Sequence, residues 1–220
     1  MVALTWDEVG SRFYETGVDH GVLYTPDGTG AYVTGVAWNG LVSVQETPTG
    51  AESNPQFADN IKYLNLISAE SFGATLEAFT YPDEFNQHDG LGSATAVPGL
   101  VIGQQARKPF GLVYRTRLGN DVELDDYGYK LHLVYGCVAS PSEKAYNTIN
   151  DSPEPVTFSW EITTTPVPVT GYRPASLLVV DSTAANPTDL AALETELFGS
   201  LTVTPNLPFP DEVITLLTSP

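Results

Sequence analysis

The sequence predicts a mainly β protein, a β-sandwich or barrel-like fold with one covering α-helix, an extended loop and terminal arms. Three observations carry that reading. The first is the pair of runs Gly111–Asp121 and Gly128–Gly136. By parity, Phe110, Leu112, Tyr114 and Leu118 share a face of one strand, and Tyr129, Leu131, Leu133, Tyr135 and Cys137 share a face of the next. Gly119-Asn120-Asp121 lies between them, which is a hairpin signal. The second is the alternation of Val156, Phe158, Trp160 and Ile162 with Thr157, Ser159, Glu161 and Thr163, as in a half-buried strand. The third is a single helix. Asn186 caps it, Pro187 suits its first turn, and Leu190, Leu193 and Leu197 recur at helical spacing before Gly199 stops it.

The other elements follow in chain order. Residues 1–30 hold few strand signals beyond Phe13-Tyr14 and Val22-Leu23-Tyr24, and read as an N-terminal arm. Residues 31–46 are apolar around Trp38-Asn39-Gly40-Leu41. A type I′ hairpin turn and a glycine bulge in one long strand both fit there. Residues 47–60 read as a long polar loop. Residues 61–68 and 74–81 read as strands, the second with Ala74, Leu76 and Ala78 on one face. Residues 82–105 are loop, and 176–181 a short apolar strand. Residues 200–220, with scattered prolines and an apolar end, read as an extended C-terminal arm.

The 220 residues suit one large β domain, and 27 acidic against 9 basic side chains give a net charge of -18. Only 16% of residues are charged, so the excess reflects a shortage of lysine and arginine. That composition opposes a nucleic-acid or anionic-membrane binder, which needs a basic patch. Cys137 is the only cysteine and reads as a buried thiol, so no intramolecular disulfide forms. The first residues show no basic and apolar leader pattern, and no apolar run approaches the ~18 residues of a membrane anchor.

No catalytic, cofactor or metal site emerges. His20, His88 and His132 lack metal-ligand spacing, and His132 reads as a surface or lumen histidine opposite its strand's apolar face. Asp121, Glu123, Asp125 and Asp126 crowd one turn without the pattern of a calcium loop, and read as solvated. Asp83-Glu84 is the natural suspect for a hydrolytic carboxylate pair, but a turn explains it equally. No nucleophile elbow, phosphate loop or dinucleotide fingerprint is present. Arg107, Lys108, Arg115, Arg117 and Lys130 concentrate the positive charge, and in so acidic a chain they suit pairing with carboxylates.

An ordered set of segments resembles a known family. It runs Phe13-Tyr14-Glu15-Thr16-Gly17-Val18-Asp19 with Gly21-Val22-Leu23-Tyr24, then Gly35-Val36-Ala37-Trp38-Asn39-Gly40-Leu41, then Ala58-Asp59-Asn60-Ile61-Lys62-Tyr63-Leu64. It continues through Phe72–Ala78, Tyr81–Phe85, the paired strands, Pro141–Tyr146 and Phe158–Glu161. Over about residues 11–199 the chain resembles the major tail proteins, or tail tube proteins, of long-tailed non-contractile bacteriophages, close to those of actinobacterial phages. The segment around Tyr24–Tyr32 and the tail after Gly199 look less like that family.

The resemblance implies a tail tube fold over 1–199 and a C-terminal arm over 200–220. It implies hexameric rings, stacked into a hollow tube in the virion tail and assembled in the host cytoplasm. Implied partners are further copies of the chain, a tape-measure protein in the lumen, and tail terminator and tail-tip proteins. Double-stranded DNA passes without specific binding, and no cofactor, membrane anchor or enzymatic activity is implied. On this reading Glu46, Glu52, Asn54, Gln56, Phe57 and Asp59 are ring-stacking candidates, and Glu70 and Glu77 are lumen acids. Arg107, Lys108, Arg115 and Arg117 pair across subunits, and Val213, Ile214, Leu216 and Leu217 anchor the arm on a neighbour. The competing class is a carbohydrate-binding or glycoside-hydrolysing β-sandwich with Trp6, Trp38 and Trp160 as sugar platforms, although Trp160 alternates with polar residues as a buried residue does. Another tube of the same fold, such as a secretion-system tube, is a third reading.

Overall fold

A computed structural model describes residues 4–94, 97–149, 151 and 154–218. The chain is mainly β and antiparallel. Its principal strands are β1 (Tyr14–Thr25), β2 (Thr34–Trp38), β3 (Leu41–Glu46), β4 (Ser53–Ala58), β5 (Ile61–Ile67) and β6 (Gly73–Ala78). The short β7 (Gly92–Ser93) and β8 (Val101–Ile102) pair with each other, and a 3-10 turn spans Asp83–Gln87. The long β9 (Phe110–Asn120) and β10 (Leu124–Ala139), β11 (Phe158–Thr164), β12 (Leu177–Asp181), and helices α1 (Pro187–Phe198) and α2 (Pro210–Leu216) complete the fold.

The main sheet runs β2-β1-β9-β10-β11-β6-β3, with β12 also on β10. β10 is the branch point. Lys130–Val134 pairs with β12, whereas Cys137–Ala139 pairs with β11. The sheet folds over there into a sandwich-like arrangement rather than a closed barrel. Two apolar clusters flank β9 and β10. One joins Val22, Tyr24, Val113, Leu131, Leu133 and Tyr135 to the helical residues Leu190, Leu193, Leu197 and Val213. The other joins Leu23, Phe110, Leu112, Tyr114 and Val134 to Leu76, Ala78, Trp160 and Ile162 of the opposing strands. Phe110–Tyr114 of β9 and Leu131–Tyr135 of β10 are therefore buried on both faces, which explains why these stretches are almost continuously apolar.

Parity across β10 holds only as far as Tyr135. Gly136 takes a positive φ of 61°, and a register shift falls between Val134 and Cys137. A Cβ there would lie 2.3 Å from the Thr165 carbonyl oxygen, so the position requires glycine. The bulge moves Cys137 to the face opposite Leu133 and Tyr135, correcting the expectation that they share one. Cys137 is fully buried, and burial pushes its thiol pKa up.

The N-terminal segment is not an arm from residue 14 onward. β1 lies inside the sheet between β2 and β9. Register shifts around Asp19, with positive φ at Gly17 and His20, break its alternation and hide the strand from a parity reading. Asn39-Gly40 is neither a hairpin turn nor a bulge within one strand. β2 pairs with β1 while β3 pairs with β6, so the two residues turn a corner between opposite ends of the sheet path. Gly40 accepts at its carbonyl from Phe79 N–H at 2.8 Å, and Trp38 Nε1 donates to the Thr80 carbonyl at 3.0 Å.

α1 forms as expected. Asn186 Oδ1 accepts from Thr188 N–H at 2.9 Å, and Gly199 has φ 78°. A second helix, α2, was not foreseen. Glu212 reaches back to accept from Phe209 N–H at 2.8 Å, and Pro210 occupies the first turn. The tail thus ends as a helix on its own domain instead of an extended arm. Leu207 and Val213 are buried, and Leu216 and Leu217 pack against the same cluster. Leu207 N–H donates to the Tyr32 carbonyl, and Gly35 N–H to the Pro205 carbonyl.

Candidate assembly surfaces and the polar network between strands

The segment 47–60 is part of a ribbon rather than a loop. β4 pairs with β5, and the bridge Thr49–Ser71 joins that hairpin to the β3–β6 pair below it. Thr47 N–H donates to the Gly73 carbonyl at 2.7 Å, and Ser68 N–H to the Glu52 carbonyl at 3.1 Å. The hairpin stands clear of the core, and every residue of β4 and β5 is exposed. Phe57, Ile61, Tyr63, Leu64, Leu66 and Ile67 are 41–71% exposed. A register shift leaves Tyr63 as an unpaired bulge between Lys62, opposite Phe57, and Leu64, opposite Gln56, so Ile61, Leu64 and Leu66 share one side of the ribbon and Ile67 lies on the other. An isolated two-stranded ribbon is marginally stable in water, and apolar surface of this kind marks an interaction site.

Of the stacking candidates, Glu52, Asn54, Gln56, Phe57 and Asp59 lie on or beside this hairpin and are exposed. Glu46 does not. It ends β3 and accepts from Tyr114 Oη at 2.7 Å. Of the lumen candidates, Glu70 is exposed at the hairpin root, while half-buried Glu77 accepts from Ser43 Oγ at 2.9 Å. The apolar residues of β5 were missed as contact candidates because a dense apolar strand reads as core. The signal available was that apolar residues of β5 fall on both parities beside a polar, proline-bearing partner strand.

The basic candidates find partners within the chain. Arg115 grips Asp19 with two hydrogen bonds, Nε to Oδ1 at 2.6 Å and Nη2 to Oδ2 at 3.0 Å. Arg117 adds Nη2 to Oδ2 at 3.1 Å. The Arg115 hydrogen bonds come first in holding the Asp19 carboxyl well below the usual carboxylate range. The Arg115 guanidinium lies 5.0 Å from the Tyr129 ring centre, and Tyr129 Oη donates to Glu194 at 2.6 Å. Burial, aided by Glu194, leaves the Tyr129 phenol pushed up to about 12. Arg107 donates to Asp89 at 3.2 Å and to the Ala139 carbonyl at 3.0 Å. Lys108 donates to Gln87 at 3.1 Å. Lys144 reaches the other Asp89 oxygen and sits 5.1–5.9 Å from the rings of Tyr81, Phe158 and Trp160. Among the described residues, Lys62, Lys108 and Arg173 are the basic side chains outside an ion pair.

Asp19→Asn is expected to destabilise the fold at neutral pH and to have little effect in strong acid. The sign follows from the lowered folded-state pKa. The contribution is complete above the unfolded aspartate value of ~3.9 and disappears as pH falls through the folded value. Urea melts of both proteins between pH 7 and pH 2 check this. Parallel curves would show that the Arg115 pair contributes nothing.

His132 is buried, against the expectation of a surface or lumen position, because its ring lies against Tyr114 and Thr116 of the neighbouring β9 and against Glu46 at the end of β3. Its ring stacks on Tyr114 with centres 4.6 Å apart. His88 is also buried. It is held by the Lys108 carbonyl at 2.9 Å and Thr25 Oγ1 at 3.2 Å, and burial lowers its pKa. In the acidic turn, Asp121 accepts from Gly10 N–H at 2.9 Å and Asp125 from Tyr14 Oη at 2.8 Å. Among the described residues, no group of three His, Cys, Asp or Glu side chains could hold a metal ion. Nor is there a helix long and apolar enough to cross a membrane among them. Two of the three proposed sugar platforms are unavailable. Trp38 and Trp160 are buried against each other with ring centres 5.8 Å apart, and only Trp6 is exposed.

No protein-family model matches the chain. No curated protein matches it either. Among solved structures, the cryo-EM structure of the anti-feeding prophage (AFP) baseplate, 6-fold symmetrised, is similar over 80% of this chain and 97% of that chain. The identity is 10% and the TM-score 0.36, below what a shared fold requires.

Proposed function

We propose that the chain is a structural, non-enzymatic subunit of a bacteriophage tail tube, building hexameric rings that stack into a hollow conduit for the genome. The observation that carries this reading is the β4–β5 ribbon. It places six large apolar side chains in water on a two-stranded support with free edges. Such a ribbon is completed by strands and apolar faces from further copies of the chain. The ordered segments that resemble tail tube proteins supply the kind of assembly.

Charge supports the same reading. Six of the nine basic side chains are held in ion pairs within the chain, against 27 acids. Little positive charge is left to retain a polyanion, so DNA would pass without adhering. Further proposed partners are a tape-measure protein within the lumen and terminator and tip proteins at the ends, all in the virion tail. Sedimentation and negative-stain microscopy across a concentration series test the proposal. Rings or tubes are expected. A strict monomer at high concentration, with no growth on tail-tip complexes, would overturn it.

A further inference from the structure

His132 sits at the meeting of four strands, and its surroundings are short of one proton. Nε2 lies 3.0 Å from Thr116 Oγ1, which lies 2.6 Å from Glu15 Oε1. Nδ1 lies 3.1 Å from Glu46 Oε1, which already accepts from Tyr114 Oη. Each of the three contacts Glu15–Thr116, Thr116–Nε2 and Nδ1–Glu46 needs a hydrogen between two electronegative atoms. The threonine hydroxyl supplies one and a neutral imidazole supplies another. The short Thr116–Glu15 separation assigns the hydroxyl proton to Glu15. Nε2–H must then donate to Oγ1, and Nδ1 is left as a bare acceptor facing a carboxylate. Nδ1 is buried, and although Glu46 Oε1 lies 3.1 Å away, the two are not aligned as a hydrogen bond.

We propose that His132 is a proton-operated latch: one proton taken up at Nδ1 ties β10 to the end of β3 through a charged hydrogen bond to Glu46. The half-exposed Glu46 carboxylate turns to bring an oxygen into line with Nδ1–H, and the proton comes from solvent past that side chain. The charged and titratable groups around the ring are Glu15 of β1, Glu46 of β3, Tyr114 of β9 and Lys130 of β10 itself. From β12, Asp181 acts on Lys130 rather than on the ring. Burial pulls the ring below its ordinary pKa, Lys130 adds to this, and the two glutamates oppose it. The ring is therefore neutral and the latch open at pH 7–8, closing as pH falls below the ordinary imidazole value of ~6.5. Because the folded pKa is lowered, overall stability is complete above that value and declines below it. The two readouts move oppositely: global stability falls while the end of β3 becomes better held. Glu46 is the last residue of β3, directly before the chain leaves for the β4–β5 ribbon, so the latch grips the ribbon's root. The inference does not depend on the tube reading.

Hydrogen exchange of the full chain, in its native assembly state, tests it between pH 8 and pH 5 after scaling for intrinsic exchange rates. Peptides spanning residues 44–50 should gain roughly tenfold protection as the pH falls, the equivalent of one pK unit. Glu46→Gln is isosteric and keeps an oxygen to accept from Tyr114 Oη but carries no negative charge to hold a protonated ring, so that variant should lose the pH response. His132→Phe keeps the stacking on Tyr114 but has no nitrogen, and should remain unprotected throughout. Wild-type protection that is flat from pH 8 to pH 5 overturns the latch, whether or not either variant folds. So does a pH response in Glu46→Gln equal to that of the wild type.

Discussion

A chain ending at Gly199 is expected to lose its cooperative fold. The residues removed include Leu207 and Val213, both essentially inaccessible to solvent, and Leu216 and Leu217, which close the rim of the same cluster. Fully burying such a side chain is worth about 1.5–3 kcal/mol, so Leu207 and Val213 contribute about 3–6 kcal/mol, to which the partly buried Leu216 and Leu217 add a smaller share. A whole domain typically has about 5–15 kcal/mol of stability. The cut also removes the Pro208 carbonyl that accepts from buried Tyr135 Oη at 2.9 Å, leaving a phenol without a partner. Far-UV circular dichroism and urea titration of the truncated chain check the outcome. A cooperative transition near the wild-type midpoint would show that the α2 segment is dispensable. A tail read from sequence as an arm for a neighbour would have left the monomer folded, and the packing reverses that expectation.

Replacing Phe57, Ile61 and Tyr63 together by serine is expected to abolish assembly and leave the monomer folded. All three side chains are mostly exposed, so they contribute little to the isolated domain. Surface substitutions of this kind usually shift stability by no more than about 0.5 kcal/mol each. In an interface the same side chains are the largest apolar anchors the ribbon offers, and truncating such anchors commonly costs about 2 kcal/mol or more each. Three per contact, repeated around the proposed ring, would leave no measurable polymer. Sedimentation velocity and microscopy report assembly, and thermal melting reports the fold. Tubes indistinguishable from wild type would remove the ribbon from the interface.

The sequence was most legible where one periodicity ran unbroken. Trp160 and Ile162 alternate cleanly and are buried as read, and the Asn186-Pro187 start and Gly199 stop bracket α1 as drawn. Legibility failed where a local backbone irregularity shifted the phase. The bulges near Gly17 and His20 concealed β1, and the one at Gly136 sent Cys137 to the other face. It failed again where prolines suggested extended chain. Pro210 is a helix-starting residue, and Glu212 two positions on completes the signal that was available. The charged candidates were legible by type but not by partner. Arg115 and Asp19 lie 96 residues apart, and their pairing follows from β1 lying beside β9.

The corner at Asn39-Gly40 has a consequence in time. β2 and β3, separated by two residues, belong to opposite ends of the strand path, so neither can template the other. β9 and β10 can zip from their shared turn at once, whereas β3 must wait for β6, and β6 for β11 some eighty residues further along. Non-local pairing of this order places folding in the millisecond-to-second class. The β4–β5 ribbon is rooted on β3 and β6, so it acquires its direction only at that late step. A nascent or half-folded chain thus cannot offer the ribbon in its finished geometry, and growth of the proposed tube would be restricted to chains that have completed their sheet.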